Sequence, residues 1–467
     1  MTITRTVSVA GGVFAPGHLG ELTRIVPFEL ADAVLAEAGV VQRRLRRLPS
    51  RVGLYFVLAM CLFPGTGYGG VWAMLTAGLD GACPGPPDGR ALRDLRRRIG
   101  AAPVRALFGV LAGPAAWPRV PGVMFGPYRT VAFDGCQSVK VADTPRNRGW
   151  LGKPAARGSE EAAYPGIWLM TLAETGTRAL LGAVFGPRED GEIGWAGKLV
   201  HLLDASMLVL ADRGFDAAGF LAQIAATGAQ FLIRLKSLRD PPVLRRLPDG
   251  SVLSVIGGVK VRIITATVTV TCQDGTRYGD SYRLATTLTD HRRYPAATLI
   301  ALYHERWEHE IAYLALRHTL LGGQVLRSRD PAGLEQEMWA LLALYQALRI
   351  AITDAIATVP GTDPDRASWK TAVETARALL TSAKGVTPDN SDLAGDIGRA
   401  VLASLHPPRR PRVSARKVKS PSSRWKAHPP GKPRTTQRIT SLTTEITPYH
   451  HEKKTRRPRS WPPAPAP

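Results

Sequence analysis

The order of short apolar runs between residues 128 and 235 most constrains the fold of this chain. Three strand-like runs come first, at 130–133, 167–173 and 178–185. The continuous apolar run 206–211 is typical of a buried central strand, and 230–235 forms a further strand after a second helical segment. This order predicts an α/β fold, in which helices pack on a mixed five-stranded sheet.

Composition shifts along the chain divide it into five regions. The segment before the sheet is helical in pattern, and the β-branched, alternating stretch that follows the fifth strand predicts a β-rich insertion. The last stretch is crowded with Pro, Ser, Thr, Lys and Arg, which predicts disorder. The predicted regions are a helical N-terminal domain (1–125), the α/β core (126–240 and 291–360), the β-rich insertion (241–290), a helical C-terminal region (361–405) and a basic, Pro-rich disordered tail (406–467).

The charge of the chain points to a polyanionic partner. Lys and Arg number 61 against 38 Asp and Glu, which gives a formal net charge of +23. Nucleic acid is the first candidate for such a partner, and an anionic membrane surface is the second. Between Arg409 and Arg459 the tail holds 16 basic residues against Glu445 and Glu452. The tail is either a DNA-binding arm or a solubilising or frameshifted extension.

Two basic clusters lie in the N-terminal region. One is the set Arg43, Arg44, Arg46 and Arg47, which lies near the end of the predicted helical segment 30–48, just before Pro49. The other lies on the short helical segment 91–99. Each cluster either contacts DNA phosphates or forms a solvated helix face. The first set is our candidate for DNA binding.

The cysteines and the apolar runs exclude other classes. Cys61, Cys83, Cys136 and Cys272 are far apart and form no CxxC pair, so neither a zinc cluster nor a disulfide framework is supported. The longest apolar run, 52–63, is shorter than the roughly 20 residues that a bilayer-spanning helix requires. We therefore expect a cytoplasmic protein with no membrane partner.

Two aspartates follow apolar strand-like runs. Asp134 closes the run that begins at Arg129, and Asp212 closes the run that begins at Ser206. Enzymes that transfer phosphoryl groups without a covalent nucleophile commonly hold two divalent ions with a few carboxylates. Such carboxylates also cap helices and turns, so neither aspartate is decisive alone.

A third acid is expected in the segment 303–310 (YHERWEHE). At about 100° per residue on an α-helix, Tyr303, Arg306, Glu310 and Arg317 share an arc of roughly 60°. An aromatic ring, two guanidinium groups and one carboxylate make a poor core face. Their natural partner is a phosphate backbone beside a metal ion, and the alternative is a solvated amphipathic face.

These residues carry a family resemblance. Tyr303, Arg306, Glu310 and Arg317 have the spacing Y-x2-R-x3-E-x6-K and, together with Asp134 and Asp212, resemble the signature of DDE transposases of the insertion-sequence-4 family. The likeness extends from the basic N-terminal helices to about residue 348. Arg317 stands where the family has lysine, which keeps the charge and alters the phosphate geometry.

The resemblance implies a ribonuclease-H-like catalytic core that acts on double-stranded DNA, both at the terminal inverted repeats and at the target. It implies that Asp134, Asp212 and Glu310 bind two Mg2+ ions, for which Mn2+ can substitute. One ion then activates a water that cuts the transposon end, and the freed 3'-hydroxyl attacks DNA. It further implies that Tyr303 and Arg306 bind flanking DNA and assist a hairpin intermediate, and that Arg317 binds a phosphate. A homodimer on paired ends and a nucleoid-associated location follow from the same resemblance.

Three other interpretations compete with that of an active transposase. A zinc hydrolase fails because an HExxH motif would need histidine where Glu308 stands, and His304 and His309 are five residues apart. A catalytically inactive remnant that only binds DNA is the main alternative, although all three acids are present. A nuclease of the same fold, which cuts without strand transfer, differs only in its products.

Overall fold

The structure is a computed structural model of the whole chain. It describes residues 17–44, 48–79, 85–152, 164–188, 190–272, 275, 277–303, 312–313, 315–386, 392–407 and 439–449. The predicted α/β class is confirmed, with helices on both faces of one large sheet.

Four of the described α-helices begin after a residue whose side chain caps the first turn, namely Asp88, Thr144, Asp330 and Ser368. The longest, α10 (Pro331–Ala357), begins after Asp330, whose carboxylate accepts a hydrogen bond from the Gly333 amide, and it carries Pro at its first position. The helices are α1 Phe28–Glu37, α2 Ser50–Leu62, α3 Tyr68–Thr76, α4 Gly89–Ile99, α5 Ala102–Leu111, α6 Pro145–Leu151, α7 Gly191–Gly197, α8 Ala218–Ala226, α9 Ala296–Tyr303, α10 Pro331–Ala357, α11 Trp369–Thr381 and α12 Gly395–Ala403.

The strands of the described part are β1 Met124–Phe125, β2 Tyr128–Lys140, β3 Gly166–Glu174, β4 Leu180–Gly186, β5 Met207–Ala211, β6 Gln230–Arg234, β7 Arg245–Arg246, β8 Val252–Ile256, β9 Val259–Cys272, β10 Arg277–Thr286 and β11 Ile439–Ile446. They form a single sheet of eleven strands in the order β4-β3-β2-β5-β6-β10-β9-β8-β7, with β1 on β2 and β11 on β9. The first five of these contain the predicted mixed sheet, because β3 runs antiparallel to its neighbours β2 and β4, whereas β5 and β6 run parallel to β2.

Alternate residues of β2 enter two separate cores. Val131 and Phe133 pack with α7 and α8 on one face, whereas Ala132 packs with α9 on the other. A third core is helical and centres on α10, which contacts the helices of both terminal regions. The sheet is therefore covered on both faces where its parallel strands lie, as expected for strands with continuous apolar runs.

The β-rich insertion extends the sheet. Strand β10 pairs directly with β6, and β9 and β8 continue from it. Part of the tail joins the same sheet, because β11 pairs antiparallel with β9 and Tyr449 is 2% exposed. This corrects the prediction of a wholly disordered tail: residues 439–446, five of which are β-branched, form a strand, since they cover an edge that β9 would otherwise expose. The predicted domain boundaries stay predictions.

Two further expectations differ from the structure. The strand that carries Asp134 does not end there but continues to Lys140, because β3 pairs with its second half. The helix that precedes the arginine cluster ends at Glu37, where Gly39 takes a φ of +67° and its amide bonds the Ala36 carbonyl. That left-handed glycine is a common helix terminator.

Candidate active site

Asp134 and Asp212 lie side by side at one edge of the parallel part of the sheet. Strands β2 and β5 pair in register up to Ala132 and Leu210, and Asp134 and Asp212 each lie two residues beyond that last pair. Adjacent strands are about 4.8 Å apart. Because side chains alternate along a strand, Asp134 belongs to the same side of β2 as Ala132, which packs with α9. Reasoning from the sequence paired these two residues, and the structure brings them together.

Each aspartate is held by a backbone amide of its own segment. The Asp134 Oδ1 accepts from the Gly135 amide at 2.9 Å, and the Asp212 Oδ1 accepts from the Gly214 amide at 2.7 Å. Asp212 thereby caps the short 3-10 helix Arg213–Phe215. These bonds fix the rotamers of the carboxylates before any ligand binds.

Glu192, in the first turn of α7, lies near the segments that follow the two aspartates. A Cβ atom on Gly214 would lie 2.5 Å from the Glu192 Oε2 and 2.9 Å from the Asp212 Oδ1, so a larger residue there would require these side chains to move. A Cβ atom on Gly135 would lie 3.5 Å from the Glu192 Oε1. Glu192 therefore reaches the segments that follow both aspartates. Reasoning from the sequence missed it, because nothing local marks an acid whose neighbours are distant in the chain.

Tyr313 connects the helical segment beyond α9 to Asp134. Its hydroxyl donates to the Asp134 backbone carbonyl and lies 2.9 Å from the Thr171 Oγ1. Thr171 is the partner of Asp134 in the β2–β3 pairing. Burial, first of all, raises the pKa of the Tyr313 phenol well above its usual value, so the hydroxyl remains protonated as a donor. Tyr313 is another residue that the sequence did not mark.

Tyr303 lies in the core of the α9 face. Its side chain is 3% exposed, and its ring meets the Tyr282 ring edge-on, with centroids 6.1 Å apart. The predicted DNA contact of Tyr303 is not visible in this arrangement and stays a prediction.

The remaining residues of the predicted stripe are described only in part. Arg306 and Glu310 lie outside the described residues. Arg317 is half-buried in the π-helical segment Ala315–Leu320. The angular argument that placed Arg317 assumed an unbroken α-helix and is corrected here, because a π-helical turn holds more residues than an α-helical one. Its phosphate contact stays a prediction.

Arg43 and Arg44 are exposed in a bend beyond α1, away from any helix face. Arg46 and Arg47 lie outside the described residues. Asp216, close to Asp212 in sequence, is structural: it is buried, forms an ion pair with Arg239 and accepts from the Lys236 amide at 2.8 Å.

The described residues contain no group of three or more His, Cys, Asp or Glu side chains close enough to hold a metal ion. Within the same residues α10 is long and apolar enough to cross a bilayer, but 83% of its most apolar window is buried in the protein, as in the core helix of a soluble protein.

Two families match the sequence. Residues 16–109 match the family "Insertion element 4 transposase N-terminal", and residues 126–346 match the family "Transposase DDE domain". The first covers most of the N-terminal helices, and the second spans the strands that carry Asp134 and Asp212.

Relatives of known name agree with these families. The chain is 26% identical over 401 residues to the transposase InsG for insertion sequence element IS4 of Escherichia coli (strain K12), covering 84% of this chain and 90% of the relative. It is 28% identical over 138 residues to the putative transposase InsZ of the same strain, covering 30% of this chain and 46% of the relative. A solved synaptic complex of piggyBac transposase with hairpin DNA aligns over 87% of this chain with a TM-score of 0.42 and 10% identity. A score this low does not establish a shared fold.

Proposed function

The chain belongs to the insertion-element-4 family of DDE transposases, and from that premise we propose that it binds the ends of its own element and catalyses their Mg2+-dependent cleavage and strand transfer. Its class is that of a metal-dependent enzyme that cleaves and transfers DNA. The inactive-remnant alternative is not favoured, since both families match and the Asp134–Asp212 pair is in place.

The observation that carries the proposal is the in-register pairing of β2 and β5, which puts the two aspartates at the same edge of the sheet. Both are held by backbone amides. A donor set of carboxylate oxygens suits a hard ion such as Mg2+ or Mn2+, whereas zinc favours His and Cys. The residues present therefore fit the expected metal.

We assign the ligand set to Asp134, Asp212 and Glu310, with two ions. When bound, such ions supply an activated oxygen nucleophile and neutralise the leaving oxygen. Tyr313 supports the assignment of Glu310. It follows Glu310 by three residues, and three residues of chain span at most about 11 Å. The hydroxyl of Tyr313 is already bonded to the carbonyl of Asp134.

We extend the proposal to DNA handling. Arg306 and Arg317 would bind phosphates beside the carboxylates. Tyr303 would contact flanking DNA and assist the hairpin intermediate. Arg43, Arg44, Arg46 and Arg47 would contact DNA from the N-terminal domain. Two protomers would act on paired ends, in a ribonuclease-H-like catalytic core, at the nucleoid in the cytoplasm. The family membership and the basic charge support these roles.

The test is cleavage of a labelled duplex that carries the element's own end, with Mg2+, resolved on a denaturing gel. We expect a nick followed by a hairpin, and strand-transfer products when target DNA is added. Asp134→Asn, Asp212→Asn and Glu310→Gln should each abolish cleavage and leave binding of the duplex largely intact. Analytical ultracentrifugation should give two protomers with two ends.

The matched control is Asp204→Asn, because Asp204 is an exposed aspartate before β5, whereas Asp212 follows the same strand. Asp204→Asn should cleave as the unchanged protein does. Retained cleavage in Asp134→Asn, Asp212→Asn or Glu310→Gln would remove that residue from the ligand set. A nick that is never followed by strand transfer would identify a nuclease, and binding without any cleavage would restore the remnant alternative.

A further inference from the structure

A cleft of about 850 Å³ lies between the N-terminal helices and the start of α10. Five arginines line it: Arg93, Arg96, Arg97, Arg327 and Arg329. Against these five guanidinium groups the lining has two carboxylates, of which Asp330 is already engaged in capping α10. The cleft is therefore strongly positive, and it lies away from the Asp134–Asp212 edge.

Two of the five arginines build the cleft. The buried Arg96 donates to Gln336 at 2.8 Å and forms an ion pair with Glu337 at 3.2 Å. Arg327 donates to the carbonyls of Pro64 and Thr66, just beyond the end of α2. Because both guanidinium groups are bound to protein partners, they hold the two sides of the cleft at a fixed separation.

The other three arginines face solvent. Arg93 and Arg329 are exposed, and the Arg97 side chain is 75% exposed. Arg93 and Arg97 lie four residues apart on α4, so they project from one face of that helix. Arg329 approaches from the opposite side of the cleft. Three mobile, forked cations around a concave surface suit the oxygens of a phosphate backbone.

The cleft is joined to the strand that carries Asp134. The Leu326 amide donates to the Lys140 carbonyl at 2.9 Å, and the Thr144 Oγ1 donates to the Arg329 carbonyl at 2.9 Å. Asp134 lies six residues before Lys140 on β2, which corresponds to about 20 Å of strand.

We propose that this cleft binds the phosphate backbone of duplex DNA through Arg93, Arg97 and Arg329. The inference rests on the proposed function and adds where the duplex is gripped. It assigns a second DNA contact to the junction of the N-terminal and catalytic regions, separate from the arginines beyond α1.

The test is fluorescence anisotropy of the full chain with a fluorescein-labelled 30-base-pair duplex of mixed sequence, over a series of salt concentrations. The cleft variant is Arg93→Ala/Arg97→Ala/Arg329→Ala. Each lost phosphate contact lowers the slope of log K against log salt by roughly 0.9, so the slope should fall by roughly 2 to 3 and affinity by about tenfold or more at 0.15 M salt.

The control variant removes the same charge elsewhere, through Arg90→Ala/Lys260→Ala/Lys384→Ala, three exposed cations outside the cleft. Its slope should stay within about one of the unchanged protein. Equal losses in the cleft and control variants would overturn the cleft as a site and leave the proposed function standing. Failure of the unchanged protein to bind the duplex would overturn both. Circular dichroism should show that both variants are folded.

Discussion

Arg96 and Arg97 are neighbours in α4, yet Arg96 lies in the buried region of the molecule and Arg97 lies in the region that faces solvent. Arg96 points inward and is 6% exposed, with bonds to Gln336, Ser328 and Tyr68. Arg97 points outward, and its side chain is 75% exposed, with only a 3.9 Å approach to Asp94. One step of about 100° around the helix separates a structural cation from one that is available to a ligand.

The difference teaches how to interpret a charge of +23. Arg178, Arg262 and Arg349 are also buried: the first two pair with Asp365 and Asp249, and Arg349 lies over the Trp369 ring at 4.3 Å. These cations hold elements together and are not presented to a polyanion. Each buried ion pair sums to zero, so the net charge of +23 is unaffected, but the count of 61 basic residues overstates the cations that DNA can meet.

The largest expected effect in stability comes from the inward arginine. Arg96→Met would leave Glu337 buried without its cation, so the free energy of unfolding should fall by about 3 to 5 kcal/mol. Urea unfolding followed by tryptophan fluorescence measures this. Arg97→Met is the matched control, and its change should stay within about 0.5 kcal/mol. Similar changes in the two variants would erase the distinction between the two sides of α4.

A buried group without a carboxylate partner tests the same idea through pH. Burial lowers the pKa of His18 to about 4, although its ring hydrogen-bonds the Leu75 carbonyl. Because the pKa is lower in the folded state, the neutral ring stabilises the fold above pH 6.5. That contribution is lost as pH falls from 6.5 toward 4, and amounts to about 3 kcal/mol.

The measurement is the free energy of unfolding against pH for the unchanged protein and for His18→Gln. The difference between the two curves should change between pH 6.5 and 4 and be flat above pH 7. A flat difference throughout would mean that the pKa of His18 is the same in the folded and unfolded states.

A smaller effect is expected from the hydroxyl that joins Tyr313 to Asp134. Tyr313→Phe removes the donor to a backbone carbonyl and the partner of Thr171, which should cost about 1 kcal/mol in unfolding. If the hydroxyl positions the aspartate, cleavage should fall in kcat with KM unchanged. Unchanged kcat, with the stability loss alone, would make Tyr313 purely structural.

The smallest effects belong to single outward arginines. Arg97→Ala should lower the salt slope of DNA binding by roughly one, whereas Arg90→Ala, on the same helix outside the cleft, should not change it. Neither should alter the free energy of unfolding by more than about 0.5 kcal/mol. A slope change with Arg90→Ala equal to that with Arg97→Ala would spread the contact over the whole helix.

The order of strands in the α/β core could be predicted from the sequence because each apolar run is local. Asp212 was placed correctly at the end of β5 for the same reason. The sequence predicts that a strand ends at Asp134, since the residues after it are not apolar. Pairing with β3 extends β2 to Lys140. The approach of Glu192 to Asp212 and the burial of Arg96 depend on residues far apart in the chain, which no local pattern carries.

The tail shows a different limit. Five of the eight residues 439–446 are β-branched, but basic and Pro-rich residues dominate the composition on both sides. Its partner strand β9 lies far upstream, so the pairing could not be found from spacing. The residues that favour a strand lie within 439–446, whereas the strand with which they pair cannot be identified from that segment.

The pairing of β11 with β9 ties the completion of the sheet to the end of protein synthesis. Ile439 follows its partner Cys272 by 167 residues. At 5 to 20 residues per second, the ribosome needs roughly 8 to 33 s to make that stretch. During this interval the 266–272 part of β9 lacks the strand that pairs with it, and an unpaired strand edge is a template for pairing with another chain. Among the described strands, the one that covers this edge is therefore the last to be synthesised.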